Sequence, residues 1–300
     1  MRVLCAGHVN WDVTLRVDRL PDPDGEVSIE ERAQSGGGSA ANVAAALAGI
    51  GTDAALFGSV GNDDAGRFAR EELAGVGVDV GPVVTATAYE TTTKYIVVDG
   101  DGEVMVLSNA GANEAFTPDD LDPATVRATD YLHLTSQKPA VAAALAELAR
   151  EAGATVSFDP GRRIDGRDYA ATLGSTDLLF LNEREASALA GHSSFETLTD
   201  ETTVVVKRGE QGAIVHADGE TVEHGGYPID PLDTTGAGDA FAAGFLAARG
   251  GLFDAVGESA DGYRRTLAIA NACGALAAGR IGARADLTRE QVEAFLAEVT

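Results

Sequence analysis

Residues Asp233 to Phe245, Asp-Thr-Thr-Gly-Ala-Gly-Asp-Ala-Phe-Ala-Ala-Gly-Phe, form a glycine-flanked turn that opens directly into an alanine-rich helix. Backbone N–H groups at Gly236, Ala237 and Gly238, with the positive end of the helix dipole, suit an anion such as a phosphoryl group, and the glycines let it approach closely. Asp239, in the first turn, has two readings. It is either a carboxylate that complements the helix dipole or caps the helix, or a general base that orients and deprotonates a hydroxyl attacking the bound phosphoryl group. Asp233, six residues earlier, is placed to brace the loop. The residues alone leave both readings of Asp239 open.

A second glycine-rich start runs from Gly36 to Gly51, Gly-Gly-Gly-Ser-Ala-Ala-Asn-Val-Ala-Ala-Ala-Leu-Ala-Gly-Ile-Gly. Gly37 and Gly38 bring backbone close to a ligand, while the alanines allow tight helix packing; a plain alanine-rich helix with a flexible start has the same composition. Two familiar phosphate sites are excluded. No Gly-Lys dipeptide occurs, so there is no Walker-type loop, and no Gly-x-Gly-x-x-Gly follows the first strand.

Together these two stretches resemble the two signatures of the ribokinase, or phosphofructokinase B, family of carbohydrate kinases, and further matches follow in family order along almost the whole chain. The resemblance implies ATP-dependent phosphoryl transfer to a hydroxyl of a sugar-like molecule, with Asp239 as base and the Gly236-Ala237-Gly238 loop stabilising the transferring group. Gly7-His-Val-Asn-Trp-Asp12, Gly58 to Gly66 and Gly111-Ala-Asn113 are family-like. The comparison implies that Asn10, Asp12, Gly37, Gly38 and Asn42 hold acceptor hydroxyls. Asn182-Glu-Arg-Glu185 resembles the family's Asn-x-x-Glu motif, which implies Mg2+ held through water by Glu185; without the resemblance it is a helix start with exposed acids. Lys207-Arg-Gly-Glu-Gln-Gly212 resembles the nucleotide loop, so Lys207, Gly209 and Gly212 are expected at ATP, with Asn271 towards the adenine. Potassium is a candidate accessory ion.

Only three lysines occur, Lys94, Lys138 and Lys207, and by the family comparison all three fall near ligands. Lys94 stands where ribokinase-like enzymes carry a small apolar residue over the sugar. A buried ammonium is costly against a neutral ligand and stabilised by an anionic one. Gln137 and Lys138 follow a strand at Tyr131 to Leu134, and Arg162-Arg163 follow Phe158-Asp159-Pro160 in an Asp-Pro-x-x-Arg context similar to that of acid-sugar kinases; exposed arginines in surface ion pairs are the plainer reading. Ser39 replaces the lysine that ribokinase shows beside its glycine pair. An anionic acceptor is therefore expected, either a sugar phosphate such as ribose 1-phosphate or an acid sugar such as 2-keto-3-deoxygluconate. The alternatives are a kinase for a neutral sugar or nucleoside, and a non-catalytic sugar or nucleotide sensor.

The elements that must position these residues are legible in the hydrophobic pattern. Short apolar runs followed by helical stretches recur, as in βαβ units on a parallel sheet. Strands are expected at Val3 to Gly7, Ala54 to Gly58, Ala154 to Phe158, Leu178 to Leu181 and Val204 to Val206. Helices are expected at Ala65 to Val76, Pro139 to Gly153, Arg184 to Ala190, Gly238 to Arg249 and Arg264 to Gly279. Val13 to Ser35 and Glu90 to Leu107 alternate polar and apolar residues and read as antiparallel strands of a small projecting sheet. The expected fold is thus a three-layer α/β/α sandwich on a mainly parallel sheet, one domain over residues 1–300, with lid strands within about 13–35 and 90–107. In the resembled family such lids often pair, which implies a homodimer.

A hydrophobic content of 45% supports one sizeable core. A net charge of −25 argues against nucleic acid, which needs a basic footprint. With three lysines, the 22 basic residues are mostly arginine, a balance expected of a halophilic protein in a salt-rich cytosol that screens its surface charge. No run of ~18 apolar residues predicts a membrane span, no signal region is evident, and the chain is expected to be cytoplasmic. Cys5 and Cys273 lie in apolar stretches without ligand spacing and read as buried thiols.

Overall fold

The computed structural model describes residues 1–190, 202–253, 259–280, 282–284 and 286–299. The first strand, β1 (Arg2–Ala6), shows how the main sheet is built. Val3 and Cys5 enter one hydrophobic cluster while Leu4 and Ala6 enter another on the opposite face. A strand buried on both sides has no polar face to alternate with, hence the continuous apolar runs in the sequence. β4 (Asp53–Phe57), β9 (Tyr131–Thr135), β10 (Thr155–Asp159), β11 (Leu178–Asn182) and β12 (Thr203–Lys207) run parallel to β1. Two antiparallel strands, β13 (Ala213–Ala217) and β14 (Glu220–His224), extend one edge, giving the eight-stranded order β14-β13-β12-β11-β10-β9-β1-β4.

Helices cover both faces. Ser39–Gly49, Ala237–Arg249 and Ala260–Ala278 pack on the side of Val3 and Cys5, and Pro139–Glu151 on the side of Leu4 and Ala6. Close approach of two of these helices depends on Gly244, where a Cβ would lie 2.6 Å from Cys273 Sγ. Phe180 meets Phe245 edge-on at 5.4 Å, tying the sheet to the helix Ala237–Arg249. Cys5 and Cys273 are free and buried, as their apolar settings predict.

The small sheet is present, with one correction. β2 (Asn10–Val17) pairs antiparallel with β3 (Ile29–Gly37), and β7 (Thr93–Val98) with β8 (Val104–Ser108), but the two hairpins join through a parallel β2–β7 pair. Alternation specifies a face, not a partner direction, so pattern alone does not reveal this. β2 also starts three residues earlier than expected, so Asn10 and Asp12 are lid residues. Two short strands, β5 (Ser59–Gly61) and β6 (Val84–Ala86), pair separately. Gly7, Lys138, Gly161 and Arg208 immediately follow the carboxyl ends of β1, β9, β10 and β12 or their short exits, the edge of an open parallel sheet where ligands bind.

Candidate active site

The loop before the helix Ala237–Arg249 is fixed by its own chemistry. Gly236 adopts φ +78, and a Cβ there would collide with the Ala283 carbonyl oxygen. Asp233 braces the loop as expected, accepting from Thr235 N at 2.8 Å and Gly282 N at 2.9 Å. Thr234, Thr235, Gly236 and Asp239 line a cavity of ≈ 960 Å³. Burial pushes the Asp239 carboxyl up to about 6, against hydrogen bonds from Asn42 and Ser39 and the field of Lys207 that favour ionisation. A carboxylate near neutrality beside a helix N-terminus is suited to taking a proton from a hydroxyl.

Behind the loop, Lys207 Nζ lies 2.6 Å from Asp159 Oδ2, with both side chains largely buried. Burial alone would lower the Lys207 pKa, but Asp159, Asp239 and Glu185 hold it raised. A Cβ on Gly238 would lie 3.5 Å from the ammonium, so the lysine sits against the first turn of the helix. Asn182 and Glu185 form a reciprocal cap: Asn182 N donates to Glu185 Oε2 and Glu185 N to Asn182 Oδ1, both at 2.9 Å. Glu185 is buried and its pKa is raised by desolvation and by Asp159. Hard carboxylate oxygens such as those of Glu185 fit a magnesium ion that keeps most of its ligands as water. No group of three acidic or His/Cys residues forms a ready cage among the described residues.

The lid side is a set of acceptors. Asp12 is buried against Gly37, where a Cβ would overlap its carboxylate. Burial raises the Asp12 pKa, against the pull of Lys94 and Arg284. Asp12 Oδ1 and Asn42 Oδ1 are buried without hydrogen-bond partners among the described residues, and both residues line the cavity. Orphaned acceptors call for donors, which sugar hydroxyls supply. Asn10 accepts from Asn113 Nδ2 at 2.6 Å, while Asn113 Oδ1 accepts from Val9 N at 3.0 Å, locking both amides. A partly buried clamp missed in the sequence holds the glycines: Arg284 Nη1 meets Glu72 Oε1 at 2.8 Å, Glu72 Oε2 accepts from Gly36 N at 2.9 Å, and Arg284 Nη2 reaches Gly37 O at 3.2 Å.

The far wall is basic. Arg162, Arg163, Arg167 and Lys138 line it around a single carboxylate, Glu114. Arg163 Nη1 and Arg167 Nη1 both donate to Glu114 Oε1 at 2.7 Å, and Arg167 Nη2 to Oε2 at 3.2 Å. Burial works to raise the Glu114 pKa, but hydrogen bonds from His8 and Arg167 hold it down at about 2.

Residues 1–290 match the pfkB family carbohydrate kinases. The chain belongs to that family. Over 302 residues the kinase is 54% identical to an ATP-dependent ribose-1-phosphate kinase of Halopiger xanaduensis, covering 99% of each chain. Among solved structures it is similar to the ribokinase of Thermotoga maritima (25% identity, TM-score 0.86, 99% of each chain). It is also similar to that of Arabidopsis thaliana complexed with ribose and ATP (27% identity, TM-score 0.84, 98% of each chain).

Of the residues expected at the acceptor, Asn10, Asp12, Gly38, Asn42, Lys94, Lys138, Arg162 and Arg163 line the kinase's cavity with Gly236 and Asp239. Gly37 stands behind Asp12. Gln137 is fully buried and is not among the residues lining the cavity, and its backbone carbonyl accepts from Tyr169 OH at 2.8 Å. At this strand-to-helix turn the neighbouring Lys138 takes the outward position and Gln137 the inward one. Ala237 and Gly238 form the first helical turn. Gly209 and Gly212, both at positive φ, bound the turn after β12, and Asn271 shares a 3.0 Å hydrogen bond with His224. These and Asn182 are not among the residues that line the cavity. Glu114, Arg167, Asp159 and His8 were not singled out; the exit of β10 at Asp159-Pro160 was the nearest signal.

Proposed function

We propose that the kinase transfers the γ-phosphoryl group of ATP to a hydroxyl of ribose 1-phosphate, giving a sugar bisphosphate and ADP. The observation that carries this reading is Asp239 at the mouth of the anion loop, facing a cavity whose opposite walls hold orphaned acceptors and a cluster of cations. The ATP-dependent ribose-1-phosphate kinase at 54% identity supports the choice of donor and acceptor.

In this reading Asp12, Asn10 and Asn42 hold the acceptor's hydroxyls, and Asp239 accepts the proton of the attacking one. The N–H groups at Gly236 to Gly238 stabilise charge on the transferring group. Lys207, already surrounded by carboxylates, is positioned for the donor's phosphates, with Gly209, Gly212, Asn182 and Asn271 towards the nucleotide. Glu185 would hold Mg2+ through water, and the ion would supply neutralisation of phosphate charge. Potassium remains a candidate activator, to be tested by replacement with lithium. Lid closure excludes water from the γ-phosphate.

The lid carries the proposed dimer contact. Lys94 and Ser108 line the cavity, and Val106 and Val104 follow on the same face by register, each 56% exposed. A second copy covering that apolar continuation buries it; Val106→Asp is expected to turn a dimer into a monomer in light scattering. The acidic, arginine-biased composition suits work in a salt-rich cytoplasm. No described helix is long and apolar enough to cross a membrane.

The test is mass spectrometry of products from purified kinase, ATP and each of ribose 1-phosphate, ribose, fructose, 2-keto-3-deoxygluconate and adenosine at high potassium chloride. A bisphosphate formed with the highest kcat/KM supports the reading. A higher value for any neutral acceptor overturns the sugar-phosphate assignment, and no turnover with any of them favours a sensor.

A further inference from the structure

The cations around the cavity fall into two groups with different partners. Lys94, on the lid, acts on Asp12, whose ionisation it favours from the adjacent strand. Lys94 therefore has a carboxylate directly opposite it in the lid. On the opposite wall Lys138, Arg162, Arg163 and Arg167 face one carboxylate, Glu114, while burial disfavours the charged form of His8 beside it. Four cations against one anion leave a surplus of three positive charges inside a chain whose net charge is −25. A phosphate monoester dianion reduces that surplus to one, a sugar carboxylate to two, and a neutral sugar leaves it unchanged.

The wall is also built to hold its shape. Arg184 bonds Asp165 at 2.7 Å and the Arg162 carbonyl at 3.3 Å, fixing the turn that carries Arg162 and Arg163. Lys138 Nζ donates to the Glu114 carbonyl at 2.8 Å, so the loop bearing Glu114 is pinned from the other side. Glu114 engages Nη1 of Arg163 and one fork of Arg167, leaving Nε and Nη2 of Arg163 uncommitted among the described residues. A guanidinium fork matches two phosphate oxygens, and prior orientation lowers the entropy lost on binding.

We propose that this wall is the receptor for the phosphate the acceptor already carries: Arg163, Arg167 and Lys138 bind it, Glu114 is a positioning residue for the two guanidinium groups, and Lys94 serves Asp12 instead. The subsite rests on the ribose 1-phosphate reading for its ligand, but binding tests it separately from turnover. Calorimetry compares ribose 1-phosphate with ribose, each without nucleotide. Arg167→Met is expected to weaken ribose 1-phosphate by about 30-fold or more and leave ribose within about twofold. Arg163→Met, at a half-exposed position that folding tolerates, shows the same selective loss, and Arg167→Lys restores part of it. Lys94→Met weakens both ligands alike. Unchanged ribose 1-phosphate binding in both arginine variants, or equal losses for the two ligands, overturns the subsite. Tight, arginine-dependent binding without turnover supports the subsite and overturns only the acceptor assignment.

Discussion

Asn42 donates from Nδ2 to Oδ2 of Asp239 at 2.8 Å, across 197 residues of sequence, so a hydrogen bond joins the two glycine-rich motifs. The bond stabilises the ionised carboxylate that burial disfavours. Asn42→Leu is therefore expected to move the acidic limb of the kcat/KM profile to higher pH. At pH 7 it should lower kcat/KM by about tenfold, the scale of a hydrogen bond to a charged group. A limb that stays in place would separate Asn42 from the ionisation of Asp239.

The raised pKa of Asp239 fixes the direction of the pH dependence. The base is active only when ionised, so activity falls as pH drops through about 6 in the free enzyme. Rate measurements from pH 5 to 8, with separate controls for folding, should show that limb in the wild type.

The same shift makes Asp239 a stability cost. Its folded-state pKa lies above the ordinary aspartate value of 3.8, so the folded form binds the proton more tightly and stability declines as pH rises from about 4 to about 6. Asp239→Asn carries no charge and can keep a side-chain amide facing Asn42. Urea unfolding should show the variant more stable than wild type by roughly 2 kcal/mol at pH 7.5, with the gap closing towards pH 4.

Lys207→Met leaves Asp159, Glu185 and Asp239 without their shared cation. Breaking a largely buried pair costs about 3 kcal/mol, and losing a phosphate-facing charge lowers kcat by about 100-fold. The pKa of Asp239 should move further up, because Lys207 is among the groups that lower it. Activity close to wild type would remove Lys207 from the phosphate site.

Gly37→Ala places a Cβ on the Asp12 carboxylate. Displacing that acceptor is expected to raise KM for the sugar by about 10- to 100-fold while leaving KM for ATP within about twofold.

Much of this architecture was legible because local chemistry fixed it. Continuous apolar runs such as Leu178 to Leu181 marked strands buried on both faces, and Gly236 marked the turn into the helix that carries Asp239. The β13–β14 hairpin was missed although its signal was present: Asp218 and Gly219, at φ 53 and 75, form the two-residue turn with positive φ that an Asp-Gly pair favours. The parallel joining of the lid hairpins had no local signal, since partner direction depends on where the main sheet delivers each chain segment. Glu114 and Arg167 meet only through the fold, from loops 53 residues apart. Gln137 shows the converse, because a residue beside a cavity in sequence can turn its side chain into the interior.

The central claim is that Asp239 removes the proton of the attacking hydroxyl. Single-turnover phosphorylation of ribose 1-phosphate by Asp239→Asn at pH 7.5, with ATP and sugar binding measured on the same preparation, tests it most directly. The rate should fall by about a thousandfold while both affinities stay within about threefold. Transfer at close to the wild-type rate would contradict the account.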